Sequence, residues 1–236
     1  MSHAVREKPS QSDKSSSRYL FAINICFEPW TRTLNIRPLP KTFHHPTNIS
    51  YQTAMSLQRI AIVGNSGAGK TTLARSLGSR LGLVHIEMDG LFWQANWTPL
   101  SLEAMRAGVD QALSGTTKWV TDGNYLRAGT QEVVWSRADT LIWLDLPLYV
   151  VLWRLLRRTA LRVSTRQELW NGNTERLSAH LRFWDWDDNL FVHCVRTHFR
   201  RRHLFPALLA HPDNAHLVVL RFRSVAEVDN WLDGLP

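Results

Sequence analysis

Between residues 64 and 71 the chain reads Gly64-Asn65-Ser66-Gly67-Ala68-Gly69-Lys70-Thr71. Glycines stand at the first, fourth and sixth places, then come a lysine and a hydroxyl. Glycine at these places lets the backbone turn tightly and bring N–H groups close to an oxyanion. A lysine at the seventh place supplies a point charge that reaches β- and γ-phosphates, and the Thr71 hydroxyl suits Mg²⁺. This is the P-loop spacing, and its context agrees with it. The apolar run Ile60-Ala61-Ile62-Val63 precedes it. After it, Leu73, Leu77 and Leu81 recur at four-residue spacing, so a helix begins there with its positive dipole end at the loop. The expected phosphate cradle is Gly64, Asn65, Ser66, Gly67, Ala68, Gly69, Lys70, Thr71 and Thr72. No guanine-recognition run is evident, so ATP is the expected nucleotide, with Mg²⁺.

Three carboxylates fall at the ends of expected strands: Asp89, Asp122 and Asp145. In an open parallel sheet the carboxyl ends of the strands line the ligand crevice. One carboxylate there would hold the water shell of Mg²⁺, and another would meet an acceptor hydroxyl. The alternative for each is a cap on the next helix or turn. Asp122 is expected at the metal, through water, together with Thr71, and Asp89 at the acceptor. Arg154 and Arg158 lie four apart and share a helix face. Their guanidinium forks suit a transferring phosphoryl group, against the alternative of a solvated basic face. The run Arg200-Arg201-Arg202 is a second basic cluster. It reads as a solvated helix end, with contact to nucleic acid possible but not favoured. Trp93 and Trp97 would stack on a substrate or pack in the core.

These residues need a scaffold that brings strand ends together. The periodicity places strands over 59–63, 83–88, 119–121, 140–144 and 216–222. Helices are expected from the P-loop to a Gly82 C-cap and from Thr98-Pro99 through Leu113. Further helices are expected over about 148–158, around Leu177, Leu181, Trp184 and Phe191, and after a Ser224 cap. The alternation implies an α/β fold, a five-stranded parallel sheet with flanking helices on both faces.

Two sets of residues carry a resemblance to known families. Asp122-Gly123-Asn124-Tyr125 and Leu144-Asp145-Leu146-Pro147, with Arg154 and Arg158 beyond, resemble the third and fourth strands of adenylate kinases and other nucleoside monophosphate kinases. The wider set resembles the DNA topology modulation protein family (FlaR-type, adenylate-kinase-related). It comprises Met88-Asp89-Gly90-Leu91-Phe92-Trp93 with Trp97, the run from Trp119 to Tyr125, Arg137-Ala138-Asp139-Thr140, and the Arg- and Trp-rich segment from Arg154 to Trp186. The resemblance covers most of residues 58–232. It implies a three-layer, nucleoside-kinase-like P-loop fold with a small helical lid, and phosphate contacts for Arg154 and Arg158. The chain departs from adenylate kinases where their Asp-Gly-Phe-Pro-Arg run is here Asp122-Gly123-Asn124-Tyr125-Leu126-Arg127, and its lid region has no recognisable match to theirs.

The chain has 236 residues and a formal net charge of +8. That length suits one sizeable domain over residues 55–236, and a basic balance suits handling of phosphates or nucleic acid. Cys26 and Cys194 are the two cysteines. Their separation excludes a disulfide scaffold or a Cys-rich zinc site and fits a cytoplasmic protein. No run approaches a membrane span. Residues 1–54 are rich in Ser, Lys and Pro and read as a disordered extension, with Met55 the expected natural start; a regulatory tail is the alternative. The reading that results is a Mg-ATP-dependent phosphotransferase with a small acceptor. Its rival is an ATP-binding regulator acting on DNA or a protein partner, and the oligomeric state is open.

Overall fold

The computed structural model describes residues 57–124, 129–174 and 189–235. The expected extension over 1–54 lies outside the described residues. So do Leu177, Leu181, Trp184 and Trp186, and with them most of the expected lid.

Five strands form one parallel sheet: β1 (Arg59–Gly64), β2 (Val84–Glu87), β5 (Trp119–Asp122), β6 (Thr140–Leu144) and β7 (Val218–Phe222), in the order β2-β5-β1-β6-β7. The α/β, five-stranded parallel reading holds. The inner strands are buried on both faces, which is why their sequences are continuous apolar runs. Alternate residues serve opposite layers. Ala61, Val63, Leu141 and Trp143 face a core shared with the helix α3 (Leu102–Ser114) and with Trp135 and Phe205. Ile60, Ile62, Ile142 and Leu144 face a core shared with α1 (Lys70–Leu81), α5 (Leu148–Thr165) and Trp231. A helix of 20 residues, α6 (Leu190–Leu209), feeds both cores, giving Leu190 and Cys194 to one and Phe205 and Leu209 to the other.

The remaining helices are α2 (Met88–Phe92), α4 (Thr130–Trp135) and α7 (Val225–Asp233). Gly82 closes α1 in the left-handed conformation, its N–H donating to Gly78 O, as a C-cap glycine does. Ser224 caps α7 through its hydroxyl, 3.2 Å from Glu227 N. No helix among the described residues is long and apolar enough to cross a membrane.

Three elements differ from expectation. Thr98-Pro99 does not start a helix. It forms a short strand, β4 (Thr98–Pro99), paired antiparallel with β3 (Trp93–Gln94), and Ser101 caps α3 instead, 3.2 Å from Ala104 N. Proline is tolerated on such an edge because it has no N–H to give. Asp89 is not a strand end, because β2 stops at Glu87 and Asp89 sits in the first turn of α2. Helix α5 runs seven residues past Arg158, to Thr165, and ends on Arg166 in the left-handed region. The added stretch Thr159-Ala160-Leu161-Arg162-Val163-Ser164-Thr165 is polar in part, but Thr159 is buried on the helix's inner face.

Candidate active site

The loop between β1 and α1 is shaped by its glycines. Gly64, Gly67 and Gly69 have φ of 153°, 81° and 97°. A Cβ on Gly67 would sit 2.7 Å from Val151 O, and one on Gly64 would sit 2.8 Å from Leu144 O, so the loop runs flush against α5 and β6. Helix α1 starts as Leu73 N donates to Gly69 O at 2.9 Å. The first-turn N–H groups of Lys70, Thr71 and Thr72 therefore have no partner within the helix. The first turn holds no acidic side chain to offset the positive dipole end, so the geometry favours an anion there.

The loop borders a cleft of about 750 Å³, which gathers Ser66 to Thr72, Asp89, Asp122, Arg154 and Arg158. These sequence-selected residues therefore meet in one space. Gly64 and Asn65 lie behind it. Gly64 is paired edge-on with Asn124, whose Oδ1 accepts from Gly64 N at 2.9 Å and whose Nδ2 donates to Gly64 O at 2.6 Å. The Asn65 side chain turns to α6: Nδ2 donates to Cys194 O at 2.8 Å, and Oδ1 accepts from Ser66 N, Thr197 Oγ1 and Arg201 Nη1. Only the Asn65 backbone faces Lys70, whose Nζ donates to Asn65 O at 3.1 Å.

Burial holds the Lys70 ammonium down to about 8, and Arg201 and Arg158 push it the same way, while Asp89 and Asp122 oppose them. Asp122 is buried at the end of β5, with Oδ1 3.2 Å from His85 Nε2 but in no well-directed hydrogen bond. A buried carboxylate oxygen at the carboxyl edge of the sheet, beside a threonine at a helix start, is a donor set that suits Mg²⁺ and its waters. Arg154 Nη1 donates to Ala68 O at 3.3 Å and lies within 3.2 Å of where a Gly69 Cβ would be. Burial, with Arg201 and then Arg196 adding to it, drives His193 down to about 3, so a neutral imidazole lines the cleft.

Asp145 does not join these groups. It is buried and held by Arg202 Nε at 2.7 Å and by Arg221, and the Arg221 guanidinium also stacks over Trp143. The carboxylate is thus the centre of a buried ion-pair network between β6, β7 and α6. The arginine run on α6 is a solvated helix end only in part: Arg201 is 6% exposed against the P-loop, while Arg202 is exposed and donates from Nε to Asp145. Helical spacing of 100° per residue turned one of the three side chains, Arg201, into the protein.

Trp93 and Trp170 also line the cleft and belong to an aromatic wall. Trp93, Trp97 and Trp170 make successive edge-to-face contacts with centroids 5.6 and 6.4 Å apart. Asn173, 3% exposed, ties the wall together: Nδ2 donates to Gln94 O and Trp170 O, and Oδ1 accepts from Trp97 N. Asn171 donates to Trp93 O. Four non-glycine residues have positive φ among those described, namely Asn96, Trp97, Arg166 and Asn171. All lie in the wall or at the end of α5 leading to it. Such strain gathers where a site over-determines its backbone. His85 carries no local motif, Trp170, Asn171 and Asn173 fall only within the broad Arg- and Trp-rich segment of the resemblance, and Arg201 was visible only as one of a basic run. Asn124 was visible in sequence only as part of the Asp-Gly-Asn-Tyr resemblance.

No family model matches the chain, and no curated protein matches it either. Solved structures with a similar chain path include a shikimate kinase from Acinetobacter baumannii in complex with shikimate (17% identity, TM-score 0.46, 77% of this chain and 93% of that one). A gluconokinase from Sinorhizobium meliloti 1021 follows (17% identity, TM-score 0.43, 75% and 93%). A shikimate kinase from Bacteroides thetaiotaomicron is similar too (16% identity, TM-score 0.42, 75% and 94%). These are likenesses of chain path; the α/β fold itself rests on the strand order and registers above.

Proposed function

We propose that the chain is a Mg-ATP-dependent phosphotransferase with a small hydroxylated acceptor. The carrying observation is that one cleft gathers the P-loop, Lys70, Asp89, Asp122, Arg154 and Arg158. ATP would lie with its β-phosphate in the cradle of N–H groups from Gly67 to Thr72, and Lys70 would reach the terminal phosphate. Thr71 and, through water, Asp122 would hold Mg²⁺, which supplies charge neutralisation between the phosphates. Asp89, on the wall side, would orient or accept a proton from the acceptor hydroxyl. Arg154 and Arg158 would offset charge on the moving phosphoryl group, so that catalysis is positioning and electrostatics. The FlaR-type, adenylate-kinase-related resemblance belongs to this reading, with a nucleotide as one candidate acceptor. The burial of Arg201 and the pairing of Arg202 with Asp145 weigh against the rival in which that run grips DNA.

The test is ADP release from Mg-ATP by the full chain, with a panel of nucleoside monophosphates, nucleosides, sugars and hydroxylated acids, beside Lys70→Ala. The expected outcome is acceptor-dependent turnover that falls at least about 100-fold in Lys70→Ala. ATP binding with no turnover on any acceptor would move the weight to a nucleotide-binding regulator.

A further inference from the structure

We propose that Arg201 is a second cation of the terminal-phosphate subsite, its guanidinium receiving the γ-phosphate together with the Lys70 ammonium while Asn65 aligns both. The inference rests on the nucleotide-binding part of the function proposed above.

Asn65 is the common partner. Its backbone oxygen accepts from Lys70 Nζ at 3.1 Å, and its side-chain oxygen accepts from Arg201 Nη1 at 2.8 Å. One residue thus fixes both cations side by side at the start of the loop. Arg201 is 6% exposed, yet it belongs to the lining of the cleft. It is also the charge that most strongly disfavours the Lys70 ammonium, with Arg158 adding to it and Asp89 and Asp122 opposing. Arg201 and Arg158 both repel the Lys70 ammonium at this end of the cleft, and an anion received there would relieve that repulsion.

The place of that anion follows from the other arginine. Arg154 tracks another part of the loop, on Ala68 O and beside Gly69, where the helix start would cradle the β-phosphate. Arg201 is held at Asn65, the residue on whose backbone oxygen the Lys70 ammonium also rests. A guanidinium there meets the phosphate that ATP has and ADP lacks. The anchor is rigid: Asn65 Oδ1 also accepts from Thr197 Oγ1 at 3.1 Å, and Asn65 Nδ2 holds Cys194 O. Both partners sit on α6, within two turns of Arg201.

The experiment is calorimetric titration of the full chain with Mg-ATP and with Mg-ADP, for wild type, Arg201→Met and Arg201→Lys. No acceptor is needed, so the result does not depend on turnover. Arg201→Met is expected to weaken ATP binding by about 30-fold and ADP binding by less than about threefold, the loss of a charge-assisted hydrogen bond made by one phosphate only. Arg201→Lys is expected to recover part of the ATP preference. Equal losses for ATP and ADP would mean that Arg201 only anchors the loop, and would overturn the inference; so would no loss for either. Should Arg201→Met show no cooperative thermal transition, Arg201→Lys carries the test through the ATP-to-ADP affinity ratio alone. An unchanged ratio there overturns the inference. Wild type binding neither nucleotide would overturn both this inference and the proposed function. Wild type binding both, with a ratio indifferent to residue 201, would overturn this inference only.

Discussion

The phosphate cradle and the aromatic wall face one cleft but are assembled differently. The cradle takes its shape from neighbours along the chain, three glycines and a helix start within residues 64–73. The wall takes its shape from hydrogen bonds between residues 76, 78 and 79 positions apart: Asn173 with Trp97, Asn171 with Trp93, and Asn173 with Gln94. A loop closed by local backbone geometry costs little chain entropy. A wall closed across so many residues forms only when the sheet between its halves is in place. The cradle therefore belongs to the part of the fold that tolerates least change, and the wall to the part that depends on distant chain segments. Distant anchors do reach the cradle, from Asn124, Arg154 and Arg201, but they grip a loop already bent by its own glycines.

The largest effect that sharpens this contrast is expected from Gly67→Ala. The new Cβ would meet Val151 O at 2.7 Å on a backbone with φ of 81°. Strain and overpacking together predict a loss of about 2–5 kcal/mol in urea unfolding, with ATP affinity falling along with it. Asn173→Ala comes next. It removes three hydrogen bonds from a buried junction and is expected to cost about 2–3 kcal/mol, while ATP affinity stays within about twofold. Loss of ATP affinity in Asn173→Ala would show that wall and cradle form one unit, and would break the comparison.

The smallest effect is a pH dependence confined to the cradle. With the Lys70 ammonium held down to about 8 by burial and neighbouring arginines, ATP affinity should weaken as pH rises through 8, by about three- to tenfold over the next two units. Stability should move the other way. The folded state disfavours the Lys70 proton, so the penalty is full below pH 8 and fades between 8 and the ordinary lysine value. Lys70→Met is accordingly expected to unfold at higher temperature than wild type at pH 7, and that gain should shrink as pH rises towards 10. A gain that does not change with pH would detach it from Lys70 ionisation.

What could be read in the sequence follows the same division. The strands of the sheet are near-continuous apolar runs, and the P-loop is a contiguous pattern, so both were legible. Asp122 was legible as a strand end, and Arg154 and Arg158 as a helix face. Asp145 and Asp122 both close inner strands, and the sequence assigned Asp122 a metal role while leaving Asp145 open between a site and a cap. What separates them is the company supplied by β7 and α6, Arg221 and Arg202 for one and His85 from β2 for the other, which no local window contains. Thr98-Pro99 misled because a proline after threonine is an N-terminal helix signal, and here tertiary pairing with Trp93 overrode it. Arg201 hid in a basic run whose composition suggested solvent, since spacing along a helix shows which residues share a face but not which face is buried.

The pairing of Asn124 with Gly64 has a kinetic consequence. The side-chain amide offers Gly64 one donor and one acceptor, as a neighbouring strand would, and Gly123 N adds a bond to Ile62 O at 3.2 Å. The rung is completed by a side chain rather than by main chain. The Gly64 amide hydrogen should then exchange with solvent as slowly as those of the sheet interior, although it stands at the mouth of a loop. Asn124→Ala should release that one proton into the fast-exchanging set and leave its neighbours at Ile62 and Val63 protected. The slowest-exchanging boundary of the loop would be set by a single amide side chain sixty residues away.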